Sequence, residues 1–282
     1  RGDGRRAALI LLGAGPESMP LELIARYGAG EGYRTVAVPL LASSAPTVQE
    51  PDPHRLAQGI ASVGSELASP LWTLPQQPDL RLFDSPEQLW EAFNRATDGQ
   101  ARQRLLARLV GELRTWRPEV VVVSKGTTDR PDPSGELLSQ LLIEAVAAAA
   151  DPTFQIELTT VAGLPPWQVK RVLGHLPPGE RGGIVIETEE FVSALGGTPA
   201  QFARKARGLV AREHVVPPSL DALELLWQVE GLQVSTRDPF AGLQLPSGNE
   251  ARRPLVVADP RDLDRLRQLA QRRKLLVRLL EY

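Results

Sequence analysis

Ala7-Ala8-Leu9-Ile10-Leu11-Leu12-Gly13 is the stretch of sequence that decides the fold. It is an unbroken apolar run that ends at a glycine. A strand that helices cover on both sides has this composition, because neither of its faces meets water. We therefore predict that this run is the central strand of a largely parallel sheet.

The segments around this run alternate between strand and helix patterns. Two further apolar, β-branched runs are predicted as strands, and three segments with apolar residues at helical spacing are predicted as helices. The strands are residues 35–41 and 120–123, and the helices are residues 21–27, 101–116 and 134–150. Such alternation predicts an α/β chain with a Rossmann-like, doubly wound sheet and helices on both faces.

Two capping boxes mark further helix starts. Ser85-Pro86-Glu87-Gln88 begins one helix, and Thr198-Pro199-Ala200-Gln201 begins another that we expect to run to about residue 213. In each box a hydroxyl can accept from the backbone while the glutamine reaches back, and proline suits the first helical position.

The remaining elements are predicted from weaker patterns. Residues 54–68 are expected to form a helix, and Ser219 is expected to cap a short helix that ends at residue 227. Residues 169–176 and 183–188 are predicted as two strands that pair as a hairpin at one edge of the sheet, across Pro177-Pro178-Gly179.

The composition excludes several classes of protein. Of the 282 residues, 42% are hydrophobic and 23% charged, as in ordinary globular proteins, and the net charge of −2 gives no general attraction to nucleic acid. No apolar run approaches the roughly 18 residues of a membrane span. The absence of cysteine excludes thiol catalysis and disulfides. By default we expect a soluble, cytoplasmic protein.

The chain is predicted to fall into three parts. Residues 1–228 form the α/β domain, residues 229–259 form a loop with a short strand, and residues 260–282 form a basic amphipathic helix. We expect this helix to pack against protein rather than nucleic acid or lipid. The start at Arg1 and the end inside a helical pattern predict a segment of a longer protein, with neighbouring domains as partners.

The ligand site is expected at two loops, residues 13–19 and 124–133. Ligands of open α/β sheets bind beyond the carboxyl ends of the strands, where the strand order reverses. The glycines Gly13 and Gly15 leave a dinucleotide-binding loop open as one alternative. Ser18, however, stands at the third glycine position, and Pro16 removes a backbone donor.

The same loops carry a family resemblance. Ala14-Gly15-Pro16-Glu17-Ser18-Met19 follows the first strand, Arg117-Pro118-Glu119 precedes a later one, and Arg130-Pro131-Asp132-Pro133 ends the loop after it. Pro166-Trp167-Gln168-Val169-Lys170-Arg171-Val172 and Phe202-Ala203-Arg204-Lys205-Ala206 extend the likeness. Over about residues 7–215 the chain resembles the PIG-L/LmbE-like family of zinc-dependent N-deacetylases, which act on N-acetylglucosamine conjugates.

The resemblance implies that the metal ligands are missing. The family holds zinc with two histidines and an aspartate, and the matching positions here are Gly15, Ser18 and Pro133. Glycine and proline offer no ligand, and a hydroxyl is a poor one for zinc. We therefore expect no metal and no other cofactor. Glu17 matches the carboxylate that activates water in the family.

These observations lead to one main hypothesis and two alternatives, of which the dinucleotide-binding domain named above is the second. The chain is expected to be a metal-less PIG-L/LmbE-like domain that serves as a binding or structural module, with a sugar conjugate or polar small molecule as its ligand. Glu17 and Asp132 are the catalytic candidates, and the ligand-binding candidates are Gly13, Gly15, Ser18, Lys125, Asp129 and His214.

The first alternative is an N-deacetylase whose zinc site is displaced. Its ligands and base would come from Glu17, Asp129, Asp132 and His214, since two carboxylates and a histidine can hold a divalent ion. The other two histidines, His54 and His175, have no metal-ligand spacing, and we expect them to be structural or exposed.

Overall fold

The structure is a computed structural model that describes residues 6–15, 18–41, 53–68, 83–126, 131–210, 218–243 and 245. Within these ranges one sheet contains the strands β1 (Leu9–Gly13), β2 (Thr35–Pro39), β3 (Ser65–Leu67), β4 (Val120–Ser124), β5 (Arg171–His175), β6 (Ile184–Glu187) and β7 (Leu220–Gln228). The strand order is β3-β2-β1-β4-β5-β7-β6.

The helices lie between the strands, as a doubly wound sheet requires. They are α1 (Leu21–Ile24), which continues as a π-helix (Ala25–Gly30), α2 (Pro53–Ser62), α3 (Pro86–Ala96), α4 (Ala101–Trp116), α5 (Pro133–Ala150), α6 (Ile156–Thr160) and α7 (Pro199–Val210). A 3₁₀ turn covers Ser193–Leu195. The sequence analysis did not predict α6.

β1 occupies the centre of the sheet, as predicted. It pairs in parallel with β2 on one side and with β4 on the other, so that Leu9 lies beside both Thr35 and Val120. All five of its residues are buried. The strand order reverses between β1 and β4, because the chain first adds β2 and β3 on one side and then crosses over.

The two faces of the sheet bury two separate hydrophobic cores. Ile10 and Leu12 contribute to the core under α3, α4 and α5, whereas Leu9 and Leu11 contribute to the core under α1, α2 and α7. This alternation follows from the two-residue period of a strand. The α/β, Rossmann-like fold with helices on both faces is therefore confirmed.

The helix predicted over residues 54–68 is shorter than expected. It ends at Ser62, and residues 65–67 form β3 beside β2. Gly64 makes the reversal possible with φ +91°, which favours glycine. A Cβ on Gly64 would lie 2.4 Å from the backbone nitrogen of Ala29, so the π-helix and this turn pack backbone to backbone.

The antiparallel edge of the sheet exists, but the predicted strand pairing there was wrong. β5 and β6 do not pair with each other; β7 lies between them and runs antiparallel to both. His175 thus lies beside Leu223 of β7, and Ile184 of β6 also lies beside Leu223.

The short helix predicted over residues 219–227 was also wrong, because this segment is β7. Its sequence, LDALELLWQ, is rich in residues that favour helices. Pairing with two strands overrides that preference, since propensity differences are small beside the burial of Leu223 and Ala222.

Arg171, at the start of β5, holds the segment that follows β7. Its side chain is fully buried, and its guanidinium donates to the carbonyls of Gln233 (2.6 Å), Pro239 (2.6 Å) and Ala241 (3.0 Å). Burial lowers the pKa of Arg171, and nearby Asp238 opposes this shift. A charged donor that satisfies three carbonyls fixes a segment without regular structure.

Arg114, in α4, stabilises the end of α5 in a similar way. It is fully buried and donates to the carbonyls of Ala149 (3.1 Å), Ala148 (3.3 Å) and Asp151 (2.6 Å). These carbonyls lie at the carboxyl end of α5, where carbonyl groups have no N–H partner within the helix. The helix dipole also favours a cation at this end.

Both predicted capping boxes are present. Ser85 accepts from the backbone nitrogen of Gln88 (3.4 Å), and the Gln88 side chain reaches back to Asp84, one residue further than expected. In the second box, Thr198 and Gln201 bond each other reciprocally at 3.2 and 3.4 Å. None of the helices described here is long and apolar enough to cross a membrane.

We predict that Arg114→Met lowers the free energy of unfolding by about 2–4 kcal/mol, because three carbonyls at the end of α5 lose a charged donor. Urea denaturation followed by circular dichroism measures the change. Arg102→Ala is the matched control on the same helix, since Arg102 is exposed and its pair with Glu144 is a surface pair. This control should change stability by less than about 0.5 kcal/mol. Equal effects of the two substitutions would contradict the proposed role of Arg114.

Candidate functional site

The two loops predicted to carry the site start side by side. β1 and β4 are paired in parallel, with Leu12 beside Val123, so the segments that follow them leave the same edge of the sheet. This edge, formed by the carboxyl ends of β1, β4 and β5, is called the carboxyl edge below. It coincides with the reversal of strand order, where open α/β sheets bind their ligands.

The loop after β1 is folded tightly on itself. The Ser18 hydroxyl donates to the carbonyl of Gly15 (2.8 Å) and lies 3.4 Å from the backbone nitrogen of Gly15. A Cβ on Gly13 would lie 2.5 Å from this hydroxyl oxygen, so any larger residue at that position would displace the Ser18 side chain. The Gly13 carbonyl accepts from Leu40 (2.9 Å), which ties the loop to the segment after β2.

Gly15 and Ser18, two described residues of this loop, suit neither zinc nor a dinucleotide phosphate. At the two family ligand positions in the loop, Gly15 has no side chain and the Ser18 hydroxyl is already bonded to Gly15. The Gly15 amide, which would have to face a phosphate, instead faces that hydroxyl. The helix that follows, α1, has only four residues before it becomes a π-helix, which gives a weak anion site.

The loop after β4 begins with Lys125. Its amide donates to the carbonyl of His175 (2.9 Å), which extends the β4–β5 pairing by one residue. Its side chain passes over Gly174, where a Cβ would lie 3.2 Å from Lys125 Cδ, and the ammonium bonds Glu224 at 2.6 Å. The ammonium is therefore paired with a carboxylate of β7 on the face of the sheet that α5 covers.

Asp132 is the N-cap of α5. Its Oδ1 accepts from the backbone nitrogen of Gly135 (3.0 Å) and from the Ser134 hydroxyl (2.7 Å). A Cβ on Gly135 would lie 2.6 Å from the Ser124 carbonyl oxygen, so the first turn of α5 packs closely on the end of β4. This arrangement explains Asp132 without any role in catalysis.

Several predicted residues lie outside the described part of the chain. They are Glu17, Asp129 and His214, together with the basic helix predicted over residues 260–282. Their predicted roles stay predictions. Of the candidates that the structure describes, Gly13, Gly15 and Ser18 share one loop, and Lys125 and Asp132 flank the other.

The sequence analysis missed one pair of side chains at the carboxyl edge. His175 Nε2 lies 2.9 Å from Asp221 Oδ1, and Asp221 is only 2% exposed. His175 ends β5, and Asp221 lies near the start of the antiparallel β7. Asp221 could have been found only by recognising β7 as a strand, since the predicted helix gave it no neighbour on β5.

Metal-binding groups are not clustered in the described ranges. No three histidines, aspartates or glutamates within these ranges could hold one ion together. The groups whose pKa is shifted by burial include Glu119 at the start of β4, at the opposite edge of the sheet. Burial raises its pKa, and the neighbouring Arg6 and Lys170 lower it again in part.

Comparison with known proteins gives fold likenesses only. No protein-family model and no curated protein sequence matches the chain. A conserved protein from Thermus thermophilus is 18% identical, with a TM-score of 0.43 over 71% of this chain and 79% of that one. N,N'-diacetylchitobiose deacetylase from Pyrococcus horikoshii is 14% identical, with a TM-score of 0.42 over 71% and 70% of the two chains. Neither likeness assigns an activity to this chain.

We predict that Asp132→Ala lowers the free energy of unfolding by about 1 kcal/mol, because α5 loses its cap. Asp132→Asn is the matched control, since asparagine caps a helix as well as aspartate does and removes only the charge. It should be nearly neutral. Thermal and urea unfolding of both variants measure the difference, and an equal loss in both would show that the charge rather than the cap is needed.

We predict that Gly13→Ala lowers the free energy of unfolding by about 1–3 kcal/mol, because the new methyl group overlaps the Ser18 hydroxyl. The double variant Gly13→Ala with Ser18→Ala should recover part of this loss, since it removes the atom in the way. A double-mutant cycle on urea midpoints measures the coupling. Strict additivity of the two changes would contradict the contact.

Proposed function

We propose that this domain binds a polar small molecule at the carboxyl edge without zinc, as a metal-less module of the PIG-L/LmbE-like type. The observation that carries the proposal is the state of the loop after β1. Where the family places two metal ligands, Gly15 offers no side chain and Ser18 bonds inward to Gly15.

The character of the carboxyl edge supports a polar ligand. Ser124, Lys125 and Gly126 are each half-buried there, and the imidazole of His175 lies on the neighbouring strand. Hydroxyl, imidazole and backbone groups at the end of a hydrophobic sheet can orient a ligand by hydrogen bonds, as small-molecule sites commonly do. A sugar conjugate is one ligand with the required hydroxyl and amide groups.

The rival is a deacetylase with a displaced metal site. It requires Asp132 as a ligand or base, together with Glu17, Asp129 and His214. The Gly135 amide and the Ser134 hydroxyl both donate to Asp132 Oδ1 and make this carboxylate the cap of α5. This favours the binding module, because the capping role already accounts for Asp132.

Zinc titration of the chelator-treated protein separates the two functions. We expect calorimetry and elemental analysis to find no stoichiometric, sub-micromolar zinc site, and we expect no acetate release from N-acetylglucosamine conjugates with or without zinc. Asp132→Asn serves as the matched variant because it keeps the cap and removes the charge.

A tight zinc equivalent in the unaltered protein would overturn the proposal. If Asp132→Asn weakened that binding and abolished acetate release, the displaced site would be the correct explanation. If the variant bound zinc as well as the parent did, the ion would lie elsewhere, and the metal-less proposal would fail equally.

A further inference from the structure

Three polar side chains lie in a row across the carboxyl edge, on three adjacent strands. Ser124 of β4 is the register partner of His175 of β5, and His175 bonds Asp221 of β7. Leu173 and Leu223 belong to the core under α1, α2 and α7, as does Val122. By strand alternation, the three polar residues lie on that same face of the sheet.

The histidine and the aspartate form an oriented pair. With Nε2 bonded to the carboxylate at 2.9 Å, Nδ1 is left as the free ring nitrogen, and it has no hydrogen-bond partner in the described part of the chain. The His175 side chain is 14% exposed, so part of it meets solvent at the carboxyl edge. A carboxylate behind an imidazole fixes its tautomer and stabilises the imidazolium.

The second oxygen of Asp221 is an unusual feature of this pair. Asp221 Oδ2 is buried and has no partner among the residues described. Burying an unpaired carboxylate oxygen is costly, and such groups in native structures call for an explanation. A role in catalysis is one explanation for a buried oxygen that is left without a partner.

Ser124 completes the row on the other side of His175. Its hydroxyl is half-buried and makes no hydrogen bond within the described ranges. Neighbouring strands lie about 4.8 Å apart, so Ser124 and His175, as register partners on one face, are adjacent side chains. Lys125, the next residue along the chain, lies on the opposite face, and its ammonium is paired with Glu224. The ammonium therefore does not donate a hydrogen bond to the His175 imidazole.

We propose that Ser124, His175 and Asp221 form a metal-independent acyl-transfer site that takes a carboxylic ester. Ser124 is the nucleophile and His175 the general base, and Asp221 is a positioning residue that acts through His175. The inference deepens the proposed function at the same edge and rests on a ligand reaching Ser124 and His175 there; the zinc titration and the labelling experiment below distinguish a failure of one from a failure of the other.

The chemistry balances within these groups and water. The Ser124 oxygen attacks the ester carbonyl carbon as His175 takes the hydroxyl proton, and the carbonyl electrons move to oxygen. When they return, the carbon–oxygen bond to the alcohol breaks, and His175 gives its proton to the leaving alcohol. Water then attacks the acyl-serine by the same route, which releases the carboxylic acid and restores Ser124.

Covalent labelling tests the site without knowledge of the natural ester. The protein is treated with a fluorophosphonate probe in the presence of a chelator, and the labelled peptide is identified by mass spectrometry. We expect the label on Ser124, and we expect none on Ser124→Ala. Ser62→Ala is the matched control away from this edge, because the Ser62 hydroxyl at the end of α2 is bonded to the Gly59 carbonyl, and it should label at the parent rate.

The two partners of Ser124 are tested by rate. His175→Gln should slow labelling at least about tenfold, since general-base assistance is lost. Asp221→Asn should slow it and also change its dependence on pH, which a purely structural role would not do. Circular dichroism confirms that each variant is folded; if Asp221→Asn is not, His175→Gln alone decides. Absence of label, label on another serine, or an unchanged rate in folded His175→Gln would overturn the proposal.

Discussion

The pairing of β1 on both sides is the constraint on which the rest of the structure depends. β1 is hydrogen-bonded to β2 and β4 and buried on both faces, so its side chains must be apolar and its neighbours must run parallel to it. Parallel neighbours require crossover connections, and these place the helices on the two faces. Because β1 has β2 and β4 on its two sides, the strand order reverses there, and that reversal locates the candidate site.

Three arginines lie at the edge opposite the candidate site, and each is held there by partners. Arg6 bonds Glu119 and stacks over Trp167, and Arg34 bonds Glu66. The Arg171 guanidinium donates hydrogen bonds to backbone carbonyls instead. Each of these arginines lies shortly before a parallel strand or begins one. The edge at the amino ends of these strands is therefore stabilised by ion pairs and by hydrogen bonds from arginine to carbonyls. The carboxyl edge has the Lys125–Glu224 ion pair as well, but among its described residues the Ser124 hydroxyl and the His175 imidazole are less completely bonded.

How far the sequence predicts the structure depends on whether an element is specified locally. β1, α4 and both capping boxes were predicted because each depends on residues close together in the chain. The signals are an apolar run for β1, apolar residues at helical spacing for α4, and four consecutive residues for each capping box. β3 and β7 were not, because their strand structure comes from pairing with residues far away in the chain. The same limit applies to the site: the loops could be located, but the pair of His175 and Asp221 exists only once β7 lies beside β5.

The place of β7 in the sheet has a consequence for the order in which the protein folds. β5 and β6 are synthesised before β7, yet each finds its partner on that side only in β7. Until residue 228 has left the ribosome, β5 presents an unpaired edge and β6 has no place in the sheet. Such edges invite pairing with other chains. The nascent protein therefore passes through a stage at which β1 to β6 have been made and the sheet is still open beside β5, and this is where a chaperone would be of most use.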